Sequence, residues 1–275
     1  MNRIAIALTV SSLIFLGGCD TGTHQRLNCI CLIDYSGSLS EETVHQYVRT
    51  ISSEVLGRMR ERDRLVVLPI DEGAKTKAVK LVLDDFSEKQ FSFHTDGYTH
   101  ASASLRHRLR QYAQNERPAI AAKLLREKGL RQQYTYFTDI FAALQQAAEL
   151  LERNEPETFW ESAGRFVSGK KRVVSTNVLI LFSDMMQESV ETSFAGPEGC
   201  TAEQADSLLE SLRASGGIPD LHGCRVFVNG RTGKTNLQVD NIKNFWTAYF
   251  REAGVDLVAY DYDAGPQIIA FLDQR

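Results

Sequence analysis

The sequence predicts a single doubly wound α/β domain, with a mostly parallel sheet flanked by helices. Strand-like apolar segments alternate with amphipathic helix-like segments along most of the chain, which is typical of a parallel sheet. The segments at 28–33 and 178–182 are almost continuously apolar, as expected of central strands that are buried on both faces. The 275 residues, 43% of them hydrophobic, suffice for one sizeable core.

The first half of the predicted sheet comes from three segments. Asn28–Ile33 and Leu65–Asp71 are apolar runs. Pro69 suggests an interruption or an end of the second run, because proline cannot donate a ladder hydrogen bond. Val79–Phe86 alternates apolar and polar residues, which favours a position nearer the sheet edge. Residues 40–59 carry apolar side chains at helical spacing, so we expect an amphipathic helix there.

The middle of the chain predicts a helical insertion at about 99–131. Within it, residues 100–128 are expected to be helical, with Pro118 beginning a second helix and Gly129 ending it. The insertion is basic. A solvated helix face is the usual meaning of such a charge run, and contact with anionic lipid or an acidic partner is the alternative.

The remaining elements continue the alternation. Thr201, with Gln204 three residues later, is a capping signal that begins a helix. Gly254 follows an amphipathic segment and ends another helix. The expected helices are 138–154, 201–214, 239–253 and 268–272, and the expected strands are 173–183, 225–228 and 255–260.

Residues 1–18 have the pattern of an export signal. Arg3 supplies positive charge, an apolar run ends at Leu16, and the sequence Leu-Gly-Gly-Cys at 16–19 resembles a bacterial lipobox. This resemblance implies cleavage before Cys19 and lipidation of that cysteine, and a plain secretory signal is the alternative. Asp20 implies retention at the inner membrane in enteric-type bacteria. We therefore expect a lipid-anchored protein of the bacterial cell envelope, on the periplasmic face of the inner membrane, with residues 19–27 as a polar tether.

Four further cysteines would then lie in an oxidising compartment. Cys200 and Cys224 occur in a loop-rich segment, so we expect them to form a disulfide. Cys29 and Cys31 are two residues apart in a predicted strand and point to the same face, where they are expected to be buried as small hydrophobic side chains. Four cysteines allow three pairings, and the sequence alone does not choose among them.

The motif Asp34-x-Ser36-x-Ser38 follows the first predicted strand. It would bring one carboxylate and two hydroxyl groups to the carboxyl end of that strand. These are hard oxygen donors, which suit Mg²⁺, Ca²⁺ or Mn²⁺ rather than zinc or copper. The same residues also allow a structural role, because Ser38 lies three residues before Glu41 and could begin the next helix as a capping box.

Two further segments agree with a metal site. Thr138 precedes a helix with the sequence TDIFAAL, and Asp184 ends the apolar run VLILFS. With the α/β alternation, these pieces resemble the von Willebrand factor type A (vWA) domain, a Rossmann-like fold, over residues 28–272. The resemblance implies a metal-ion-dependent adhesion site. In it, Ser36 and Ser38 would bind the metal directly, Thr138 directly or through water, and Asp34 and Asp184 mainly through waters and hydrogen bonds.

The sequence departs from the family pattern at two places near this site. The segment before Thr138 is Tyr134-Thr135-Tyr136-Phe137 rather than a glycine-rich turn, which makes Thr135 a rival for the third hydroxyl ligand. Met185 follows Asp184 where the family often has glycine. The choice between Thr138 and Thr135 stays open at this stage.

The resemblance implies a binding module rather than an enzyme. A divalent cation, Mg²⁺ foremost with Mn²⁺ or Ca²⁺ as alternatives, would accept an acidic residue of a protein partner. The alternatives are a metal-dependent phosphoesterase, which would need a second acid where Ser36 stands, and a vWA scaffold with a vestigial metal site. The formal net charge of −4 does not suggest a nucleic-acid binder. Gly230–Thr235 lacks the first glycine of a phosphate-binding loop and is expected to be a turn.

Overall fold

A sheet of six strands in the order β3-β2-β1-β4-β5-β6 organises the chain. The computed structural model describes residues 24–60, 62–71, 80–85, 101–131, 137–152, 173–230 and 233–275. The strands are β1 His24–Asp34, β2 Arg64–Ile70, β3 Val82–Asp85, β4 Val173–Phe182, β5 Arg225–Asn229 and β6 Asp256–Asp261. All neighbours are parallel except β2 and β3, which are antiparallel. The predicted fold class is confirmed.

Six α-helices lie among the described residues. They are α1 Glu41–Arg49, α2 Ala101–Arg131, α3 Ile140–Ala148, α4 Ala202–Ser215, α5 Asn236–Glu252 and α6 Gly265–Asp273. Apolar side chains form one buried cluster on each face of the sheet. The cluster that contains Cys29 and Cys31 packs against α1, α2 and α6. The other packs against α3, α4 and α5. None of the helices described here is both long enough and apolar enough to cross a membrane.

The central strands β1 and β4 create the cleft in which a site can form. Strands β2 and β3 lie on one side of β1, and the later strands β4, β5 and β6 lie on its other side. The strand order therefore reverses between β1 and β4. In doubly wound sheets, ligands bind beyond the carboxyl ends of the strands at such a reversal. The carboxyl ends meet where Ile33 pairs with Phe182, immediately before the predicted ligands Asp34 and Asp184.

Strand β1 is longer than the sequence indicated. It begins at His24 rather than Asn28, because His24–Leu27 pair with the first residues of β4. Part of the segment predicted to be a tether is therefore strand. Pro69 does not end β2, whose carboxyl part pairs with β1. The described antiparallel pairing with β3 reaches only Val67, so no hydrogen bond to that strand is lost at the proline.

The helix after β1 begins at a different serine from the one predicted. Ser40 is the N-cap of α1, and its hydroxyl accepts a hydrogen bond from the backbone nitrogen of Thr43 at 3.1 Å. The capping-box role considered for Ser38 is therefore wrong. The helical path continues beyond α1 through a π-helical segment, Thr50–Val55, and a 3₁₀ turn that ends at Arg58, close to the predicted end.

Helix α2 is one continuous helix of 31 residues. The predicted break at Pro118 and the predicted end at Gly129 are both wrong. Proline inside a helix costs about 3 kcal/mol, yet apolar residues on both sides of Pro118, among them Ala113 and Leu124, pack against the same core. One uninterrupted helix buries this whole stripe, which offsets the cost of the proline.

The capping signal at Thr201 is confirmed. The Thr201 hydroxyl accepts from the Gln204 backbone nitrogen at 3.4 Å, and the Gln204 side chain accepts from the Thr201 nitrogen at 3.0 Å. Helix α4 therefore begins where the sequence predicted. Its end is at Gly216, whose φ of 71° is in the left-handed region.

The four cysteines within the described residues are free and buried. Cys29 and Cys31 lie in one core cluster, as predicted. Cys200 and Cys224 both belong to the cluster on the other face, and burial raises the pKa of the Cys200 thiol to about 11. The predicted disulfide between them is not formed in this structure. The predictions for the export signal, Cys19, Asp20 and Thr135 lie outside the described residues.

Candidate metal centre

The loop after β1 is shaped by Asp34. This residue is fully buried, and its Oδ1 accepts a hydrogen bond from the backbone nitrogen of Ser36 at 2.7 Å. A carboxylate that bonds to the backbone two residues later forces the chain into a tight turn. The turn brings Ser36 and Ser38 back over the carboxyl end of the sheet, rather than letting the chain run outward.

Three side chains then join the two central strands. The Ser36 and Ser38 hydroxyl oxygens lie 2.8 Å apart and form a hydrogen bond. The Ser38 hydroxyl donates to Oδ2 of Asp184 at 3.0 Å. Because Asp184 follows β4, this chain of bonds connects the loop after β1 with the loop after β4. Four of the five predicted residues, Asp34, Ser36, Ser38 and Asp184, are therefore brought together.

Ser183 completes the arrangement, and the sequence analysis missed it. Its hydroxyl donates to Oδ2 of Asp34 at 2.8 Å and accepts from the Met185 backbone nitrogen at 3.0 Å. Both carboxylate oxygens of Asp34 are thus hydrogen-bonded. The register that pairs Ile33 with Phe182 places Asp34 beside Ser183. A serine directly before the predicted ligand Asp184 was the only sequence signal, and its meaning depends on that register.

The two carboxyl groups share a poorly solvated environment. Burial, together with the negative charge of Asp184, raises the pKa of Asp34 to about 7. Burial also raises the pKa of Asp184 above its usual range. The Tyr47 hydroxyl lies nearby, and its pKa is raised by burial and by the charges of both aspartates. A cation bound between such groups would favour their ionised forms.

Thr138 approaches the same edge from the loop before α3. It is buried, and its backbone oxygen accepts from the Glu188 nitrogen at 3.0 Å. Asp139 caps α3, and Gln187 donates to Asp139 and accepts from the backbone nitrogen of Ile140. These contacts hold the Thr138 loop against the segment after Asp184. Among the described residues, no hydrogen bond joins the Thr138 side chain to the other four predicted ligands.

Met185 stands at a position where glycine was expected. Its φ of 64° lies in the left-handed region, which glycine adopts without strain. The Met185 backbone is held there by the bond to Ser183, and its oxygen accepts from the indole nitrogen of Trp246 at 2.9 Å. The backbone therefore has the conformation that suits glycine, while the methionine side chain fills the core.

A further acid at this edge, Asp71, is paired with an arginine of helix α2. Asp71 follows β2, next to the motif loop, because Asp34 pairs with Ile70. It is buried and forms an ion pair with Arg131, the last residue of α2. Burial lowers the pKa of the Arg131 guanidinium. The sequence did not indicate this pair, since it depends on the position of α2.

The residues present fit a hard divalent cation. Two carboxylates and two hydroxyl groups converge, with a third hydroxyl on the adjacent loop, and all are oxygen donors. Ser38 is exposed, so a group outside the protein can reach the site. Within the described residues no group of three or more His, Cys, Asp or Glu could hold a metal. The hydroxyl groups of the candidate site would therefore have to supply part of the coordination of a bound cation.

The predicted turn at Gly230–Thr235 is consistent with the part of that segment that is described. Thr235 caps α5, its hydroxyl accepting from the Gln238 backbone nitrogen at 3.1 Å. The Lys234 backbone nitrogen donates to the Gln238 side chain at 2.7 Å. These bonds occupy the helix start with its own side chains.

Comparison with known proteins finds only distant structural similarity. The sequence matches no protein family and no curated protein. Among solved structures, it is similar at 13% identity to an aerotolerance-related membrane protein of Bacteroides fragilis, with a TM-score of 0.39 over 91% of this chain and 97% of that one. BatB of Bacteroides thetaiotaomicron is 13% identical, with a TM-score of 0.38, and the match covers 92% of this chain and 100% of BatB. The pilus adhesin SpaC of Lactobacillus rhamnosus GG is 13% identical, with a TM-score of 0.37, and the match covers 92% of this chain and 31% of the adhesin. Similarity at this level carries no argument about the fold or the site.

Proposed function

We propose that this chain is a vWA-like binding module that engages a protein partner through a divalent cation. The supporting observation is the hydrogen-bonded series that runs from Asp34 through Ser36 and Ser38 to Asp184. Two acids from neighbouring strands are connected through the Ser36 backbone nitrogen and the hydroxyl groups of Ser36 and Ser38. Mg²⁺ is the foremost candidate, with Mn²⁺ and Ca²⁺ as alternatives, and Thr138 is the proposed third hydroxyl.

The donor set favours a partner that supplies an acidic residue. Neutral hydroxyl ligands leave much of the charge of a bound divalent cation uncompensated, so an external carboxylate is attracted to it. Ser38 is exposed while Asp34 and Asp184 are buried. The Ser38 side of the site therefore faces solvent, and the carboxylates lie beneath it.

We propose no catalytic role for this site. In an aspartate-based phosphoesterase, Asp34 would have to be a free nucleophile. Here one oxygen accepts from the Ser36 backbone nitrogen and the other from the Ser183 hydroxyl. Ser36 also stands where that chemistry needs a second acid. These bonds suit a carboxylate that positions neighbouring groups. The proposed setting is the periplasmic face of the inner membrane, reached through lipid on Cys19.

Two serines close in sequence allow a matched test of metal binding. Ser38→Ala removes a hydroxyl that bonds to Ser36 and Asp184, and it is expected to weaken Mg²⁺ binding at least tenfold, corresponding to about 1.4 kcal/mol. Ser40→Ala removes the N-cap of α1 and should cost about 1 kcal/mol of stability without changing Mg²⁺ affinity. Calorimetric titration and urea unfolding measure the two quantities. Equal Mg²⁺ affinity in both variants would contradict the proposed site.

Partner binding is tested by co-purification from detergent-solubilised membranes, in Mg²⁺ and in EDTA. A partner is expected with wild-type protein in Mg²⁺ only, and it should be lost with Asp184→Asn. Asp206→Asn is the control, because Asp206 is an exposed residue of α4 and carries the same change of charge. A partner that is retained in EDTA and with Asp184→Asn would remove the metal from the binding mechanism.

A further inference from the structure

Four arginines line one cavity at the amino-terminal edge of the sheet. The cavity has a volume of about 480 Å³. Arg26 lies near the start of β1, Arg225 begins β5, Arg60 precedes β2, and Arg275 follows α6. The cavity is formed where these elements meet, at the end of the sheet opposite to the candidate metal centre.

Three of the guanidinium groups are oriented by neighbouring acids. Arg26 pairs with Glu152 at 3.1 Å, Arg275 with Asp63 at 3.0 Å and Arg225 with Asp256 at 3.6 Å. Arg225 also stacks over the ring of Phe271, at 5.1 Å from its centroid. These contacts position the guanidinium groups around the cavity.

Hydrogen-bonding capacity remains on this cluster. Among the described residues, no carboxylate pairs with the exposed Arg60 side chain. The Arg225 side chain is 46% exposed, so its guanidinium is accessible from solvent. A guanidinium has five N–H donors, and one carboxylate engages at most two of them. Clustered arginines with spare donors match the several oxygens of a phosphate group.

The path of the chain indicates where such a phosphate would come from. The predicted lipid-bearing residue, Cys19, precedes the first residue of β1, His24, by five positions. A fully extended segment of that length reaches at most about 18 Å. The edge of the sheet that carries the arginine cavity is therefore held close to the membrane surface if Cys19 is lipidated.

We propose that the arginine cavity binds the phosphate group of an anionic phospholipid and orients the domain on the membrane. The inference rests on the predicted lipidation of Cys19 and is independent of the metal. Strand β1 has 11 residues, so its two ends lie roughly 33 Å apart. With the arginines against the lipid, the candidate metal centre at the other end of the strand is directed away from the membrane, towards a partner.

Arginine labelling of the lipidated full-length protein tests the proposal. The protein is reconstituted in vesicles of phosphatidylcholine, with or without phosphatidylglycerol, and treated with phenylglyoxal. Modification of each arginine is quantified by mass spectrometry. We expect labelling of Arg60 and Arg225 to fall about fivefold when phosphatidylglycerol is present. Arg49, an exposed residue midway along the helical path from Glu41 to Arg58, is the matched position at which no change is expected.

The other outcomes discriminate among explanations. Equal labelling of Arg60 and Arg225 in both membranes would overturn the proposal. Arg126 lies on the exposed side of α2. Protection of Arg126 alone would mean that this basic helix, and not the arginine cavity, contacts the lipid, and it would overturn the proposal. Protection by inorganic phosphate in phosphatidylcholine vesicles, with no further effect of phosphatidylglycerol, would overturn the assignment to lipid and retain a phosphate site.

A pair of variants gives a second measurement. Arg60→Gln combined with Arg225→Gln leaves the ion pairs of Arg26 with Glu152 and of Arg275 with Asp63 intact. We expect phosphatidylglycerol to raise the melting temperature of the wild-type protein and of Arg49→Gln, but not of this double variant. A melting temperature that rises equally in all three would contradict the proposal. Asp184→Asn should leave all these results unchanged, so failure of the metal site and failure of the lipid site are distinguishable.

Discussion

Replacing Asp63 with alanine is expected to destabilise the fold by about 3 to 5 kcal/mol, which makes it the largest stability effect of a single carboxylate that we predict. Asp63 is 1% exposed. Its two oxygens accept from the backbone nitrogens of Leu27 and Arg60, at 2.8 and 2.7 Å, and from the Arg275 guanidinium at 3.0 Å. Alanine would leave a largely buried cation, with a side chain 14% exposed, and two backbone donors without their acceptor, and each carries a desolvation cost.

The matched control is Asp256→Ala, measured in the same urea unfolding experiment. Asp256 also pairs with an arginine, at 3.6 Å, but the side chains of Arg225 and Asp256 are 46% and 67% exposed. An exposed ion pair contributes about 0 to 1 kcal/mol because solvent screens it. The same change of charge should therefore have a small effect here. Similar losses in the two variants would mean that burial of Asp63 does not determine its contribution.

Gly230→Ala is expected to cost about 4 kcal/mol and to disturb the candidate metal centre. The residue has a φ of 137°, a conformation that other residues rarely adopt. A Cβ atom at this position would overlap the backbone oxygen of Ser183 and the hydroxyl of Tyr47. Relief of this clash would move Ser183, which bonds to Asp34 and directly precedes Asp184. Mg²⁺ affinity should therefore fall together with stability.

Gly216→Ala separates backbone strain from the clash. Gly216 also has a positive φ, of 71°, but beyond its chain neighbours no heavy atom lies within 4 Å of the place that a Cβ atom would occupy. The substitution should cost only about 1 kcal/mol and leave Mg²⁺ affinity unchanged. Urea unfolding and calorimetric titration of the two variants make the comparison. Unaltered Mg²⁺ binding in a folded Gly230→Ala protein would show that the position of Ser183 does not matter to the site.

The sequence by itself determined the fold class and most of the residues that form the candidate site. Alternation of apolar strands with amphipathic helices is sufficient to predict a doubly wound sheet, because burial on both faces requires continuous apolar runs such as the one ending at Phe182. Asp34 and Asp184 could be assigned to one edge because parallel strands end at the same side of a sheet. Local hydrogen bonds such as the Thr201 capping box could also be predicted, because both partners lie within four residues.

Tertiary structure decided everything that depends on register and packing. Ser38 bonds to Asp184 rather than capping α1, and Ser183 supports Asp34, because β1 and β4 are neighbours with one particular register. Helix α2 continues through Pro118 because its apolar stripe is buried on both sides of the proline. The four arginines of the cavity come from widely separated parts of the chain. No local pattern records such contacts, since their free energy arises only when distant segments are packed together.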